Sequence, residues 1–149
     1  MIRVQELDFD IAKEYQTLLE KSGTGAVVIF VGLVREFNTP VNEPDANAAM
    51  HIQHYPGMTE KALTKIESEA QSRWPLISST IIHRVGELKV NDQIVFVGTS
   101  SAHRTDAYTA NQFIIDTLKT EAPFWKKEGD HWVESKASDT LAAEKWLSD

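Results

Sequence analysis

Apolar residues recur along this chain with two different spacings, and each spacing predicts a different kind of element. Recurrence every three or four residues predicts a helix, whereas alternation or a short unbroken apolar run predicts a strand. The helical spacing predicts helices after a cap at Asp8 or Asp10 and at residues 57–74, 105–120 and 138–147. The strand patterns predict strands at residues 2–7, 26–34, 48–55, 79–85, 93–101, 124–128 and 131–135.

Individual patterns also predict which residues face the interior. The unbroken run AVVIFVGLV at 26–34 predicts a strand that is buried on both faces. Two inner helical stripes are expected, formed by Ile11, Tyr15, Leu18 and Leu19 in the first helix and by Met58, Ala62, Leu63, Ile66 and Ala70 in the second. Trp146 is expected to pack the last helix.

The segments between these elements predict connections of two kinds. Strands 79–85 and 93–101 are joined through Gly86 to Leu88 and a turn at Asn91 and Asp92, so we expect them to pair antiparallel. Residues 36–47, EFNTPVNEPDAN, are long and polar enough to form a lid. The order predicts an α+β fold, with a two-layer arrangement of helices packed on a mostly antiparallel sheet. At 149 residues, 1–149 is expected to form a single domain.

The stretch FIIDTLKTEAPFWKKE, residues 113–128, combines a helix, a break and a strand. Pro123 cannot continue a helix, so the helix that carries Lys119 is expected to stop just before it. In the strand that follows, alternation places Phe124, Lys126 and Glu128 on one face and Trp125 and Lys127 on the other. We expect Lys126 to face Lys119 above an apolar floor formed by Phe124, and Trp125 to be a core anchor.

Charge makes this stretch a candidate site. The formal net charge of −7 argues against a nucleic-acid-binding surface, yet Lys119, Lys126 and Lys127 cluster within one short turn. The cluster predicts a small anion held locally. The alternative is that these lysines only complement the helix dipole and remain in water.

Two other places carry cations at the ends of elements. Arg35 directly follows the apolar strand at 26–34, and His103 and Arg104 precede the helix at 105–120. Free backbone N–H groups at a helix N-terminus favour anions, and an arginine adds a bidentate fork. Together with the lysines, these residues suit a small phosphate-bearing substrate.

Other kinds of chemistry have weaker signals. The chain has no cysteine, which excludes thiolate zinc sites, and no nucleotide-binding fingerprint. His51 and His54 are three apart on a strand and face opposite sides, so no metal site and no resident cofactor are expected. His83 reads as a structural histidine, and a triad of Ser101, His103 and Asp106 lacks any supporting context.

The N-terminal residues, MIRVQELDFD, carry acids where a signal peptide needs an apolar region. No run approaches the length of a transmembrane helix. These features lead us to expect a cytoplasmic protein with no membrane partner.

Four blocks of the sequence, taken together, resemble the large, catalytic subunit of molybdopterin synthase. They are HYPGMTEKAL (54–63), HRVGEL (83–88), DQIVFVGTSSAHR (92–104) and LKTEAPFWKKE (118–128). The similarity runs from about Gly25 to Trp146. It implies the α/β hammerhead fold and conversion of cyclic pyranopterin monophosphate to molybdopterin by installation of a dithiolene.

The resemblance also implies partners. Each sulfur is expected to arrive as a thiocarboxylate on the C-terminal Gly-Gly of a small ubiquitin-like sulfur-carrier subunit. A homodimer is expected at the centre of a heterotetramer, with one partner tail threaded into each pocket. A catalytic chain that has no cysteine is consistent with sulfur that is delivered by a partner.

By position, the family's substrate pocket maps to the following residues of this chain: Leu33, Val34, Arg35, His103, Arg104, Lys119, Lys126, Lys127 and Glu128. Lys119 matches the lysine beside the partner's terminus and, with Lys126, is the expected catalytic group. Leu33 departs from the family pattern, in which lysine is frequent at this position. Two alternatives stay open from the sequence: a non-catalytic adaptor for a ubiquitin-like tail, and a phosphosugar- or nucleotide-binding module.

Overall fold

A computed structural model describes residues 1–35, 49–128, 131–133 and 137–147. Within them the strands are β1 (Ile2–Gln5), β2 (Ala26–Leu33), β3 (Ala49–His54), β4 (Leu76–Arg84), β5 (Gly86–Lys89), β6 (Gln93–Ser101), β7 (Phe124–Glu128) and β8 (His131–Val133). The helices are α1 (Ile11–Leu18), α2 (Met58–Arg73), α3 (Arg104–Glu121) and α4 (Ala137–Glu144). The predicted lid, residues 36–47, lies outside the described part of the chain.

The strands form two four-stranded sheets. The first sheet has the order β1-β4-β6-β2, in which β1 and β4 are parallel and the other pairs antiparallel. The second has the order β5-β3-β7-β8 and is antiparallel throughout. The predicted α+β fold with mostly antiparallel pairing is confirmed. The sequence patterns do not predict the division into two sheets, because they indicate a connection and not a strand at β5.

The core is centred on β4 and β6, the two inner strands of the first sheet. One face of these strands, with Ile81 and Val97, packs against α2 and α3. The opposite face, with Ile82 and Phe96, packs against Leu18 of α1. These two strands, rather than β2, are the ones buried on both faces.

Strand β2 lies at the edge of the first sheet, and most of its side chains are only half-buried. The prediction that it is buried on both faces is therefore wrong for the single chain. An apolar run specifies a strand that avoids water, but it does not specify how many neighbouring strands the chain itself supplies.

Both predicted helical stripes are also partly wrong. In α1 only Leu18 of the expected stripe is buried, while Glu14 is buried in an ion pair with Arg3. In α2 the exposed fraction of Met58 is 59%, and its neighbour Thr59 is buried instead. Thr59 faces inward because its hydroxyl has backbone partners at Tyr55 and Pro123.

Trp146 is confirmed as the packing residue of the C-terminal segment. Its ring packs edge-on against Trp74 and Phe113, with centroid distances of 5.7 and 5.6 Å. Its indole N–H donates to Asp116 of α3 at 2.8 Å. These contacts hold the segment after α4 against α2 and α3.

Trp125 is not a core anchor, since its exposed fraction is 48%. Alternation along β7 was predicted correctly, but β3 decides which face points inward. Residues paired across antiparallel strands lie on the same face, and the buried Ile52 pairs with Lys126. Trp125 pairs with the exposed Gln53 and faces away from the core.

We expect the two neighbouring aromatic residues of β7 to differ in their contribution to stability. Phe124→Ala removes a ring that packs against the core and is expected to lower the free energy of unfolding by about 2–4 kcal/mol. Trp125→Ala is expected to lower it by about 1 kcal/mol or less, because its ring is half in solvent. Chemical denaturation measures both values, and equal losses would contradict the assignment of faces.

Candidate functional site

The candidate site is built where α3 ends and β7 begins. Ala122 is the C-cap of α3 with φ −81° and ψ 129°, an extended conformation that the following proline favours. The Thr59 hydroxyl of α2 donates to the Pro123 carbonyl at 3.1 Å. The break is therefore bonded to a second helix, which sets the direction of β7.

The direction of β7 brings Lys126 onto the inner face of the second sheet. Lys126 is half-buried and pairs with Ile52 of β3 and Val133 of β8. On the same face, the Phe124 ring stacks on the His83 imidazole at 3.7 Å with an interplanar angle of 17°. The apolar floor predicted beside Lys126 therefore continues from Phe124 to a buried histidine.

The electrostatic surroundings of Lys126 depress its pKa below the usual lysine value. Burial is the largest cause, and the charge of Lys119 is the next. Asp139 and Glu128 oppose this change, and Arg35 adds to it. The charges of Arg35, Lys119 and Glu128 thus all act on Lys126. A lowered pKa increases the fraction of neutral amine at neutral pH, which suits a base or nucleophile.

Lys119 lies in the last turn of α3 and is half-exposed. Its ammonium nitrogen is 3.6 Å from Oδ1 of Asp139, which belongs to the first turn of α4. Lys119 therefore has a carboxylate partner on α4, and its charge also acts on Lys126.

The three predicted site residues at the end of β2, Leu33, Val34 and Arg35, differ in burial. A register shift between Gly32 and Leu33 disturbs the pairing with β6, and Leu33 is exposed. Val34 is buried, and its backbone N–H and C=O bond to Asp92 and Asn91 at 2.9 and 2.8 Å. Val34 is thus a core residue that anchors the strand end, while Arg35 is exposed beside it.

His103 and Arg104 lie at the opposite end of α3 from Lys119. His103 is the N-cap and Arg104 the first residue of the helix, and both side chains are exposed. At about 1.5 Å of rise per residue, the 15 residues from Arg104 to Lys119 (119 − 104) span about 22 Å. One chain does not bring these residues to the same small ligand as the lysines.

The Ser101 hydroxyl donates to the backbone carbonyl of His103 rather than to the imidazole. The geometry therefore does not support a triad of Ser101, His103 and Asp106.

Lys127 lies on the outer face of β7, opposite to Lys126. Its ammonium nitrogen is 5.7 Å from the centre of the Trp132 ring, a cation–π contact on the exposed side of the sheet. It does not join the other lysines within the described chain.

Comparison with known proteins decides the family. The model of the family described as MoaE protein matches residues 4–121. The molybdopterin synthase catalytic subunit of Escherichia coli is 53% identical over 142 residues, which cover 93% of this chain and 92% of that protein. The chain belongs to the MoaE family.

Solved structures agree with this assignment. A structure titled molybdopterin biosynthesis MoaE protein, from Burkholderia ambifaria, is 46% identical with a TM-score of 0.83 and covers 100% of this chain and 99% of its own. A molybdopterin synthase structure from Staphylococcus aureus is 33% identical with a TM-score of 0.78, with coverages of 89% and 96%. The predicted resemblance to this family of enzymes is confirmed.

Sequence reasoning missed two residues at the site of this MoaE chain. Asp139 follows Lys119 by 20 residues (139 − 119) and shows no local sign of contact with it. His83 was interpreted as structural, which its burial supports, but its stacking on Phe124 places it next to Lys126 in the site. Both contacts depend on how distant elements pack, which neither local periodicity nor spacing encodes.

The described residues contain no cluster of three or more histidine, aspartate and glutamate side chains that could hold a metal ion. None of the described helices is both long and apolar enough to cross a membrane.

A cavity of about 280 Å³ lies elsewhere, between α2, α3 and the C-terminal segment. Its lining includes Arg73, Phe113, Glu121 and Trp146 but neither Lys119 nor Lys126. We assign the site to the lysines, because the cavity lining has one cation, Arg73, against three carboxylates, Glu69, Glu121 and Glu144, and does not suit an anionic substrate.

His83 leads to a prediction about stability. Its Nδ1 is 2.8 Å from the Arg84 carbonyl oxygen, so this nitrogen carries the proton of a neutral ring. Burial lowers the pKa of His83 from 6.5 to about 3. Between these values the unfolded chain binds a proton that the folded chain does not, so stability falls as the pH decreases from 6.5.

The expected slope for this one proton is at most about 1.4 kcal/mol per pH unit. Urea denaturation between pH 7 and pH 5 measures it, above the range in which ordinary carboxylates titrate. In His83→Asn, which keeps a donor to the Arg84 carbonyl, the slope is expected to decrease. The matched change His51→Asn, on the exposed face of β3, should retain the wild-type slope. A wild-type slope in His83→Asn would contradict the neutral-imidazole assignment.

Proposed function

We propose that this chain is the catalytic subunit of a molybdopterin synthase, which converts cyclic pyranopterin monophosphate to molybdopterin. The observation that supports it most is the meeting of Lys119 and Lys126 at the break between α3 and β7, in a chain of the MoaE family. Burial and the charge of Lys119 both lower the pKa of Lys126. The site therefore contains an amine that releases its proton more readily than an ordinary lysine.

The sulfur is supplied by a partner. The chain has no cysteine, so its own side chains include no thiol to donate. Relatives are named catalytic subunits, a name that implies at least one further subunit. We infer that a small ubiquitin-like subunit delivers each sulfur as a C-terminal Gly-Gly thiocarboxylate and leaves as a carboxylate after hydrolysis.

The two lysines have complementary roles in this proposal. Lys119, which is half-exposed, meets the partner's C-terminal carbonyl in this proposal and acts as an acid and base or as a transient acyl acceptor. Lys126, half-buried beside Phe124, faces the substrate. Two sulfur transfers then complete the dithiolene.

The substrate phosphate requires cations that the lysines do not fully supply. Arg35 lies in the same environment, and guanidinium binds phosphate through a bidentate fork. His103 and Arg104 suit the same task, but in one chain they lie about 22 Å from Lys119. We infer a homodimer in which the second copy supplies His103 and Arg104 to each site.

A substitution at Lys119 separates a catalytic amine from a simple positive charge. Arginine keeps the charge but does not exchange a proton or accept an acyl group readily at neutral pH. Lys119→Arg is therefore expected to reduce turnover by about 10²–10⁴-fold, nearly as much as Lys119→Ala. Single-turnover product formation with thiocarboxylated partner measures this loss.

The exposed lysine Lys65 of α2 offers a matched control. Lys65→Arg makes the same chemical change outside the site and should leave turnover unchanged. All variants are compared for partner affinity and oligomeric state, so that loss of assembly is not mistaken for loss of chemistry. Near-wild-type turnover by Lys119→Arg would refute a catalytic role for this amine.

Sharing of the site between two copies predicts complementation. Arg104→Ala and Lys119→Ala chains are each expected to be inactive as homodimers. A mixed dimer, purified through two different tags, should regain about half of the wild-type activity, because one of its two sites has both native residues.

The control is a mixed dimer in which both substitutions are on one chain and the other chain is wild type. It carries the same changes but no site with both native residues, so it should stay inactive. Activity of this control with an inactive first mixture would place Arg104 and Lys119 of one chain in the same site and refute sharing. A monomer in light scattering would refute the homodimer itself.

A further inference from the structure

Asp139 is the one carboxylate described within ion-pair distance of Lys119. Its Oδ1 lies 3.6 Å from the Lys119 ammonium nitrogen, and its exposed fraction is 24% against 48% for Lys119. It also acts on Lys126, whose pKa it raises. A single carboxylate on α4 therefore influences both candidate catalytic lysines, which belong to α3 and β7.

We propose that Asp139 is a positioning residue of the sulfur-transfer site, which holds the Lys119 ammonium in place and balances the positive charge that Lys119 and Lys126 share. This role rests on the proposed function of the two lysines. Asp139 itself need not touch the substrate, because its effect is carried by the lysines.

Attachment of the C-terminal segment does not require Asp139. Lys145 pairs with Asp116 at 3.4 Å, and the Trp146 indole N–H donates to the same carboxylate. Arg73 donates to the Trp146 carbonyl at 3.1 Å. These contacts join the segment to α2 and α3 on the side of the cavity, so the Asp139 pair is additional to them.

Cations and carboxylates around Lys126 are close to equal in number, so the loss of one carboxylate changes the local charge considerably. Four charged groups act on Lys126: Arg35 after β2, Lys119 of α3, Glu128 of β7 and Asp139 of α4. His54 of β3 and Lys126 itself act on the imidazole of His83, in β4. Arg35, Lys119 and Lys126 are opposed by two carboxylates, Glu128 and Asp139. Removal of Asp139 leaves three cationic groups facing one carboxylate.

Asp139 also lies in the first turn of α4, where a carboxylate interacts favourably with the helix dipole and stabilises the helix. That purely structural role predicts a different result from the positioning role. A dipole effect changes the stability of α4, whereas a positioning effect changes the titration of Lys126. The test therefore uses the titration.

Lysine side chains labelled with ¹³C at Cε report their own titration by NMR, and the Lys126 signal is assigned by its loss in Lys126→Arg. In Asp139→Asn the pKa of Lys126 is expected to fall, because a carboxylate that raises it is lost. A fall of about 0.5 pH unit is the size expected for the charge of one partly exposed carboxylate. Asp139→Glu restores the charge and should return the pKa of Lys126 most of the way to its wild-type value. Glu144→Gln removes the same charge from an exposed position of α4 and should leave the pKa of Lys126 unchanged.

Turnover gives the second measurement. The pH profile of single-turnover product formation in Asp139→Asn is expected to move to lower pH by the same amount, with a several-fold lower maximum. Asp139→Glu should return the profile toward wild type. A merely structural role would lower the amount of folded protein without moving the profile.

The two measurements separate the inference from the proposed function. Equal Lys126 titrations in Asp139→Asn, Glu144→Gln and wild type would overturn the role of Asp139, whatever the activity. If the wild-type chain forms no product with thiocarboxylated partner, the proposed function fails. A shifted Lys126 titration in Asp139→Asn would then still support the charge balance.

Discussion

The break at Pro123 is the constraint on which the site depends. A helix presents Lys119 at its end, and a strand that starts three residues after that helix returns Lys126 toward it. Without the proline, an extended α3 would continue and move residues 124–128 away from the second sheet. The hydrogen bond from Thr59 to the Pro123 carbonyl fixes the bend from the side of α2. Local backbone chemistry thus produces a contact between two elements.

Burial of the Lys126 ammonium costs free energy, and neighbouring carboxylates offset part of that cost. Burial and nearby cations disfavour its charged form, whereas Glu128 and Asp139 favour it. Beneath it, His83 stays neutral because burial lowers its pKa, so the floor adds no further positive charge at neutral pH. A chain of net charge −7 surrounds this small cationic region, which restricts anion binding to it.

Local signals in the sequence predicted every described element except β5, and they place Lys119 and Lys126 on either side of the break at Pro123. The strands at 93–101 and 124–128 have the predicted bounds, because β-branched and aromatic runs and a proline mark them. The orientation of β7 is harder to predict. Which of its faces turns inward depends on pairing with Ile52, about 70 residues earlier in the chain. The prediction that Trp125 faces the core is wrong for this reason. Asp139 and the exposed edge of β2 depend on packing between distant segments, for which one sequence carries no periodic signal.

The pairing of β7 with β3 also determines which kinds of genetic change this chain tolerates. Since side chains alternate along a strand, insertion of one residue directly after Pro123 would exchange the two faces of β7. Trp125 would then turn inward and Lys126 outward, while every backbone hydrogen bond of the sheet could still form. Such a chain would fold into nearly the same shape and lack its central amine. In this strand, changes of length are therefore more harmful than most changes of residue, and a screen for folding alone would not detect them.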